Sequence, residues 1–389
     1  MSDVIYLDNN ATTQVDPAVV DEMLPWLREH YGNPSSAYGL GKKAREAVEQ
    51  ARERVAGLLA CDPSEIVFTS CGSESINTAI QSAVATDPDR THIITSGVEH
   101  SATMKLCEHL ARRGYEVTWL PVDATGQLDL EKLEKAIRPD TAVVSLLWAN
   151  NETGVLFPVE RVAEICREKK VLFHCDAVQA VGKLPISLEG SGIHFASVSG
   201  HKLHCPKGVG VLYVNKRVRF TPWLRGSQEG ARRGGTQNVA SIVGLGKAAQ
   251  IAAEHMAEEQ TRVRALRDRF ETGILERVPN VEVNGDRVNR LPNTTNLSFE
   301  GIEAEGALML LDDRGVCCSA GSACTSGSVH PSHVLKAMGF SNERARASLR
   351  FSFGRFNTDA DIDAALEIVP AVIDKLRNLS PVGGPVLVS

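Results

Sequence analysis

The sequence has 389 residues, a length that suggests about two domains at about 150 residues each. Its 43% hydrophobic and 23% charged content is that of an ordinary globular protein, and a formal charge of −6 argues against a nucleic-acid surface as the main function. The clean apolar runs, such as 142–149, fall well short of the roughly 20 residues of a spanning helix, so no membrane span is expected.

At the N-terminus, MSDVIYLDNNATT carries acids and amides where a secretory leader carries basic and then apolar residues, which predicts a cytoplasmic protein. Between about 66 and 214, β-like runs alternate with helix-like stretches. The runs are IVFT (66–69), HIIT (92–95), EVTWL (116–120), AVVSLLW (142–148), VLFHC (171–175), HFASV (194–198) and VGVLYV (209–214). Several are nearly continuous in apolar residues, as strands buried on both faces require. The stretch 158–170 opens on Pro158, spaces Val162, Ile165 and Cys166 for a helix, and ends in Lys169 and Lys170. Such alternation predicts an α/β fold with a mainly parallel seven-stranded sheet and right-handed crossovers. In open sheets of this kind ligands bind at the carboxyl ends of the strands. Helical patterning returns over 259–278, where Val263, Leu266, Phe270 and Ile274 form one stripe. Strand-like VEVNG (281–285) and NTTNLSFE (293–300) follow, then the loop GSACTSGS (321–328), so a smaller α+β domain starting near 258 is expected. Nine cysteines, an odd count in a long chain, do not suggest a disulfide framework, and no CxxC pair offers a zinc site.

The polar residues after the apolar runs are the candidates for chemistry. SVSGHKLHCPKG (197–208) sets Lys202 at a strand end, between Ser199 and His201 on one side and a tight loop on the other. A single lysine there is usually a solvated charge. The alternative is a Schiff-base lysine, whose amine attacks an aldehyde once its pKa is lowered; its hydroxyl and imidazole neighbours suit a phosphate. FHCDAVQAVGK (173–183) ends an apolar run in Asp176, with Gln179 three residues on. A loop aspartate is unremarkable by itself. Paired with a Schiff-base lysine, it can keep a pyridine nitrogen protonated, so that the ring acts as an electron sink. FTSCGSESINTAI (68–80) passes from a strand through small residues into a helix, where Gly72 and Ser73 offer either a phosphate site or an ordinary cap. SGVEHSA (96–102) places His100 past another strand, as a structural residue or as a proton shuttle stacked on a ring. WANNETG (148–154) places Asn151 similarly, though either asparagine can simply make a turn. Cys324 sits in a polar Gly/Ser-rich loop that is expected to be mobile. It is read either as incidental or as a swinging thiolate nucleophile. Arg350 in SLRFSFGR (348–355) suits a carboxylate ligand or an internal salt bridge.

Together these stretches resemble the cysteine desulfurases, pyridoxal-phosphate enzymes of aminotransferase class V. The likeness runs from YLDNNATT (6–13) and YGNPSS (31–36) through TSCGSES, VEH, WANNETG, HCDAVQAVGKLPI, SGHKLHCPKGVG, GSACTSG and PSHVLKAMG to LRNLSP (376–381). GSACTSG and YLDNNATT resemble the nitrogen-fixation branch, which supplies sulfur for nitrogenase and other iron–sulfur clusters. The resemblance implies a fold-type I pyridoxal-phosphate transferase, with a large cofactor domain over 16–257 and a small domain from 1–15 and 258–389. It implies that Lys202 forms the covalent imine with the cofactor and later moves the substrate α-proton. Asp176 then pairs with the ring nitrogen, Gln179 bonds the ring's phenolic oxygen, and His100 stacks on the ring as acid or base. Gly72, Ser73, Ser199 and His201 hold the phosphate, with Thr236 reaching it from the other subunit of a homodimer. Asn151 lies near the ring, and Asn33 and Arg350 contact the substrate carboxylate. Cys324 takes the sulfur of L-cysteine as a persulfide and is the one candidate ligand for iron or a cluster. An iron–sulfur scaffold protein is the implied acceptor.

One stretch departs from the family. QEGARRGGT (228–236) has Gly230 and Ala231 where the family has Arg-Gly, while Arg233 and Thr236 stay in place, so a different path for this loop is expected. Cys317 and Cys318 are additional thiols beside the reactive loop. Rival expectations are a selenocysteine lyase, an aminotransferase, or a sulfur-delivery scaffold without turnover of its own.

Overall fold

The computed structural model describes residues 4–320 and 331–379. Its strands, in chain order, are β1 (Ile5–Tyr6), β2 (Ile66–Thr69), β3 (His92–Ser96), β4 (Glu116–Leu120), β5 (Thr141–Leu147) and β6 (Leu172–Asp176). They continue with β7 (Phe195–Ser199), β8 (Gly210–Val214), β9 (Val281–Val283), β10 (Thr294–Phe299), β11 (Val316–Cys317) and β12 (Ser348–Ser352). Seven of them form one sheet in the order β2-β8-β7-β6-β5-β3-β4. Every residue of β2, β3, β5, β7 and β8 is buried, which is why these segments read as mostly apolar. At the edge, β4 buries only Leu120.

The sheet is parallel except for β8, which runs antiparallel to both β2 and β7. The link 200–209 is shorter than the dozen or so residues that a parallel crossover needs, so the chain must turn straight back. A second difference from the strand–helix reading lies between β6 and β7. Residues 177–194 connect these parallel neighbours through a succession of turns, without an α-helix. The expected helix over 158–170 is present as Val159–Glu168.

A separate core gathers around the antiparallel sheet β12-β10-β9. Phe270 packs on Phe351 and Phe353 with ring centroids 4.7 Å and 5.5 Å apart. The stripe Val263, Leu266, Phe270 and Ile274 is buried there, and Ile5 and Leu7 join it from the far end of the chain. The helical run starting at 259 opens with a π-helical turn, Glu259–Val263, before the helix Arg264–Arg277. Among the described residues no helix is long and apolar enough to cross a membrane.

Candidate active site

Because β2, β3, β5, β6 and β7 run in one direction, their carboxyl ends meet at one edge of the sheet. β6 ends in Asp176, 6% exposed. Val178 N–H donates to its Oδ1 at 3.0 Å; among the described residues this is the carboxylate's one hydrogen bond, and Oδ2 is left for a cation. Burial raises the Asp176 pKa, against the opposing pull of His100 and Lys202. β7 ends in Ser199 and passes into a 3-10 turn, Gly200–Lys202.

Past β3, His100 caps the helix Ser101–Arg112, its Nδ1 accepting from Ala102 N–H at 3.1 Å. An accepting Nδ1 places the proton of the neutral ring on Nε2, and burial lowers the His100 pKa, which keeps the ring neutral. Glu99 beside it is fully buried. Ser96 Oγ and Leu147 N–H donate to its Oε1 at 2.6 Å and 3.2 Å, while Oε2 has no partner among the described residues. Burial first, with the Asp176 charge adding to it, pushes Glu99 up to about 8, so it holds a proton at neutral pH. Past β5, Asn150 makes the turn: its Oδ1 accepts from Glu152 N–H at 2.9 Å and Thr153 N–H at 3.0 Å. Asn151 is thereby left to the site edge, and its carbonyl accepts from Asn10 Nδ2 at 3.2 Å and from Arg350 at 2.9 Å.

Lys202 Nζ donates to Asn10 O and, at 2.7 Å, to Ala11 O. Gln179 Nε2 donates to the same Asn10 O at 3.0 Å. The N-terminal segment thus supplies the acceptors that hold the amine, and it is fastened on both sides. Asn10 N–H donates to Ser352 Oγ at 2.9 Å, and Thr13 N–H to His201 O at 3.0 Å. The motif YLDNNATT flags this segment, but the acceptors are backbone carbonyls, which no side-chain pattern announces.

The helix Gly72–Thr86 begins opposite Ser199. Cys71 caps it without a side-chain hydrogen bond, so its first N–H groups are available to an anion. A Cβ at Gly72 would lie 3.0 Å from Val178 Cγ2 and 3.3 Å from Ser199 Cβ, so the absence of a side chain lets the helix start approach the ends of β6 and β7. Ser73 is exposed at this start. His201 Nδ1 pairs with Thr12 Oγ1 at 3.1 Å, and burial, with Lys202 next in effect, lowers its pKa to about 4.

Among the described residues, two expected ones, Asn33 and Thr236, have no contact with this group. Asn33 is exposed and caps its own loop, its Oδ1 accepting from Ser35 N–H at 2.9 Å. Thr236 is exposed in this chain. The departing stretch before it folds as a left-handed run: Glu229, Gly230 and Ala231 have φ of 50°, 63° and 62°. Buried Glu229 anchors it, accepting from Arg52 at 2.8 Å and from Phe68 N–H at 3.0 Å, while Arg233 pairs with Glu74 in the first turn of the Gly72 helix at 2.8 Å. Cys324 lies outside the described residues, but both roots of its segment are fastened at the site. On one side Ser319 N–H donates to Arg350 O at 3.1 Å. On the other, Ser332 Oγ donates to Glu152 Oε2 at 2.5 Å and His333 Nε2 meets Glu99 O at 2.9 Å. Arg350 is 3% exposed; it also donates to Asp8 at 2.6 Å, and its Nε has no partner among the described residues. No group of three or more His, Cys, Asp or Glu among the described residues could hold a metal ion.

An uncapped helix start, an amine just beyond a strand end and a buried carboxylate with one oxygen to spare match the phosphate, the aldehyde and the ring nitrogen of pyridoxal phosphate. The fold and site are those of a pyridoxal-phosphate enzyme. The chain belongs to the aminotransferase class-V family, which matches residues 5–365. A cysteine desulfurase of Nostoc sp. is 51% identical over 97% of this chain and 95% of its own. The cysteine desulfurase NifS of Azotobacter vinelandii is 52% identical over 98% of this chain and 95% of its own. Among solved structures, a NifS-like protein superposes with a TM-score of 0.90 at 39% identity, covering 96% of this chain and all of that one.

Proposed function

We propose that the chain is a cysteine desulfurase that converts L-cysteine to L-alanine and takes the sulfur as a persulfide on Cys324. An iron–sulfur scaffold protein then receives it, with nitrogenase clusters among the destinations. The observation that carries this reading is a shared edge. The Lys202 amine and the buried Asp176 carboxylate stand where both roots of the Cys324 segment are fastened.

When bound, pyridoxal phosphate supplies an aldehyde for an amine and a ring that draws electrons from the substrate α-carbon. Gly72, Ser73, Ser199 and His201 would hold its phosphate, with Thr236 of a second copy completing the contact in a homodimer. Asp176 would hold the ring nitrogen through its available oxygen, and its carboxylate, with a positive partner there, would stay ionised against burial. Protonated Glu99 leaves Asp176 as the one negative charge of the pair. His100, neutral with its proton on Nε2, would stand beside the ring as a donor, with Asn151 near it. Lys202, steadied by the Asn10 and Ala11 carbonyls, provides the covalent anchor and then carries the substrate α-proton. Arg350, with its unsatisfied Nε, would receive the substrate carboxylate, with Asn33 as the second contact that the family resemblance implies. The Cys324 thiolate attacks the sulfur of cysteine. A sulfur–sulfur bond forms as the Cβ–S bond breaks, the electron pair stays with carbon, carbon takes a proton, and alanine leaves. Four peptide units separate Cys324 from Ala320, a tether of at most about 15 Å, enough to collect sulfur at the edge and present it outside.

The test is to incubate the cofactor-loaded chain with L-cysteine, quantify alanine, and locate the trapped persulfide by peptide mass. One alanine per persulfide on Cys324 is expected. Cys324→Ala should keep the visible absorption band and lose most sulfur release; normal turnover in that variant would overturn the reading. Selenide formed from selenocysteine in preference, or stoichiometric conversion of an added keto acid, would point to a lyase or a transaminase instead.

A further inference from the structure

The motif HCDAVQAVGK ends in Gly182 and Lys183, which the mechanism above leaves unused. The turn after Asp176 is closed by Ala180 N–H and Val181 N–H on Ala177 O, each at 3.0 Å. Gly182 has φ +77°, and a Cβ there would overlap Leu203 Cδ2, so the chain reverses directly against the neighbour of Lys202. The reversal sends Lys183, 6% exposed, back over the turn. Its Nζ donates to Gln179 O at 3.2 Å and to Gln179 Oε1 at 2.9 Å. A cavity of about 30 Å³ is lined by Lys183, Lys202 and Glu259 among others, and Glu259 is the charge that most favours the ammonium against burial.

An ammonium has donors only, so it selects the oxygen end of a carboxamide. With Oε1 held by Lys183, the NH2 end of Gln179 is turned to the opposite side. One of its hydrogens goes to Asn10 O, the acceptor shared with Lys202. Without the ammonium, Oε1 would be buried and unsatisfied, and the carboxamide would no longer be held in this orientation. We propose that Lys183 is a positioning residue: standing at the same cavity as Glu259, it locks the Gln179 carboxamide so that its second N–H is presented to the cofactor's ring oxygen. This rests on the assignment of Gln179 as a ring contact.

The pH midpoint of the visible absorption band of the loaded chain reads that contact, because a donor to the ring oxygen favours its deprotonated form. Gln179→Leu removes the donor and should raise the midpoint by about one unit. Lys183→Met fills the space but donates nothing, and should raise it by a similar amount; Lys183→Arg, a donor-only cation with the cavity to expand into, should bring it back. Adding Lys183→Met to Gln179→Leu should change nothing further. A shift with Gln179→Leu but none with Lys183→Met, or additive shifts in the double variant, would overturn the role of Lys183. No shift with Gln179→Leu would instead overturn the ring contact beneath it. Should Lys183→Met fail to fold, Lys183→Leu serves in its place: it likewise donates nothing to Gln179 Oε1, so the midpoint should still rise, and an unchanged midpoint again overturns the proposal.

Discussion

Replacing Glu99 by glutamine should alter how stability depends on pH, by an amount that the site fixes. The folded carboxyl ionises at about 8, against an ordinary value of 4.5, because it is buried and close to Asp176. Between these values the unfolded chain has released a proton that the folded chain keeps. Stability from this group is therefore fully present below pH 4.5 and is lost as pH rises towards 8. Integrating that single proton from about pH 5 to pH 7 gives a loss of about 2.5 kcal/mol, at about 1.4 kcal/mol per unit. Glutamine keeps an oxygen for Ser96 Oγ and Leu147 N–H and cannot ionise. Asp176 and His100 titrate in both chains and largely cancel in the difference. Urea unfolding of the two chains at pH 5, 6 and 7, with matched cofactor content, measures it. The variant should gain about 2.5 kcal/mol on the unsubstituted chain across this interval, whatever the offset at the acid end. A difference that stays flat would mean that Glu99 is already ionised in the fold. The site would then hold two buried negative charges, and the account of Asp176 as the single anion would fail.

Gly182→Ala should destabilise the fold by about 2–4 kcal/mol, from the left-handed backbone and the overlap with Leu203 together; thermal unfolding within about 0.5 kcal/mol of the unsubstituted chain would refute the close approach. Ser332→Ala removes the cap on Leu335 N–H at 3.2 Å and leaves the buried Glu152 carboxyl without its hydroxyl partner. It should cost about 2–4 kcal/mol, seen in urea titration, and should slow persulfide formation more than it weakens cofactor binding. Equal losses in both would separate the anchor at Ser332 from sulfur transfer.

The strand ends are legible in the sequence because burial on both faces writes them as apolar runs, with the chemical residues directly after. The observed β5, β6 and β7 sit one residue away from the runs AVVSLLW, VLFHC and HFASV. The direction of β8 is not legible in apolar content; it follows from the length of the link 200–209. The choice between Asn150 and Asn151 is hidden as well, because two adjacent asparagines have the same turn-forming chemistry and only the fold shows which is used. Asn10 and Ala11 act through carbonyls, Glu99 through burial, and Lys183 through a side chain four residues from its target. None of these is visible as a residue type in a pattern. Thr236 is exposed in a single chain, and the contact that the family resemblance implies for it would need a second copy.

The way residues 5–13 run through the molecule has a consequence in time. Ile5 and Tyr6 pair with Val316 and Cys317, and Asn9 and Asn10 bond Ser352, before the chain reaches the Lys202 amine. During synthesis this segment leaves the ribosome early, yet its partners arrive only after some three hundred further residues have been translated. Until then the segment that carries the lysine's acceptors is fastened on one side only, through Thr13 and His201. The large sheet can therefore assemble on the ribosome, while the site is held on both sides only in nearly finished polypeptide. Fusions or nicks near Asn10 should show up first as poor loading, in protein that is otherwise well folded.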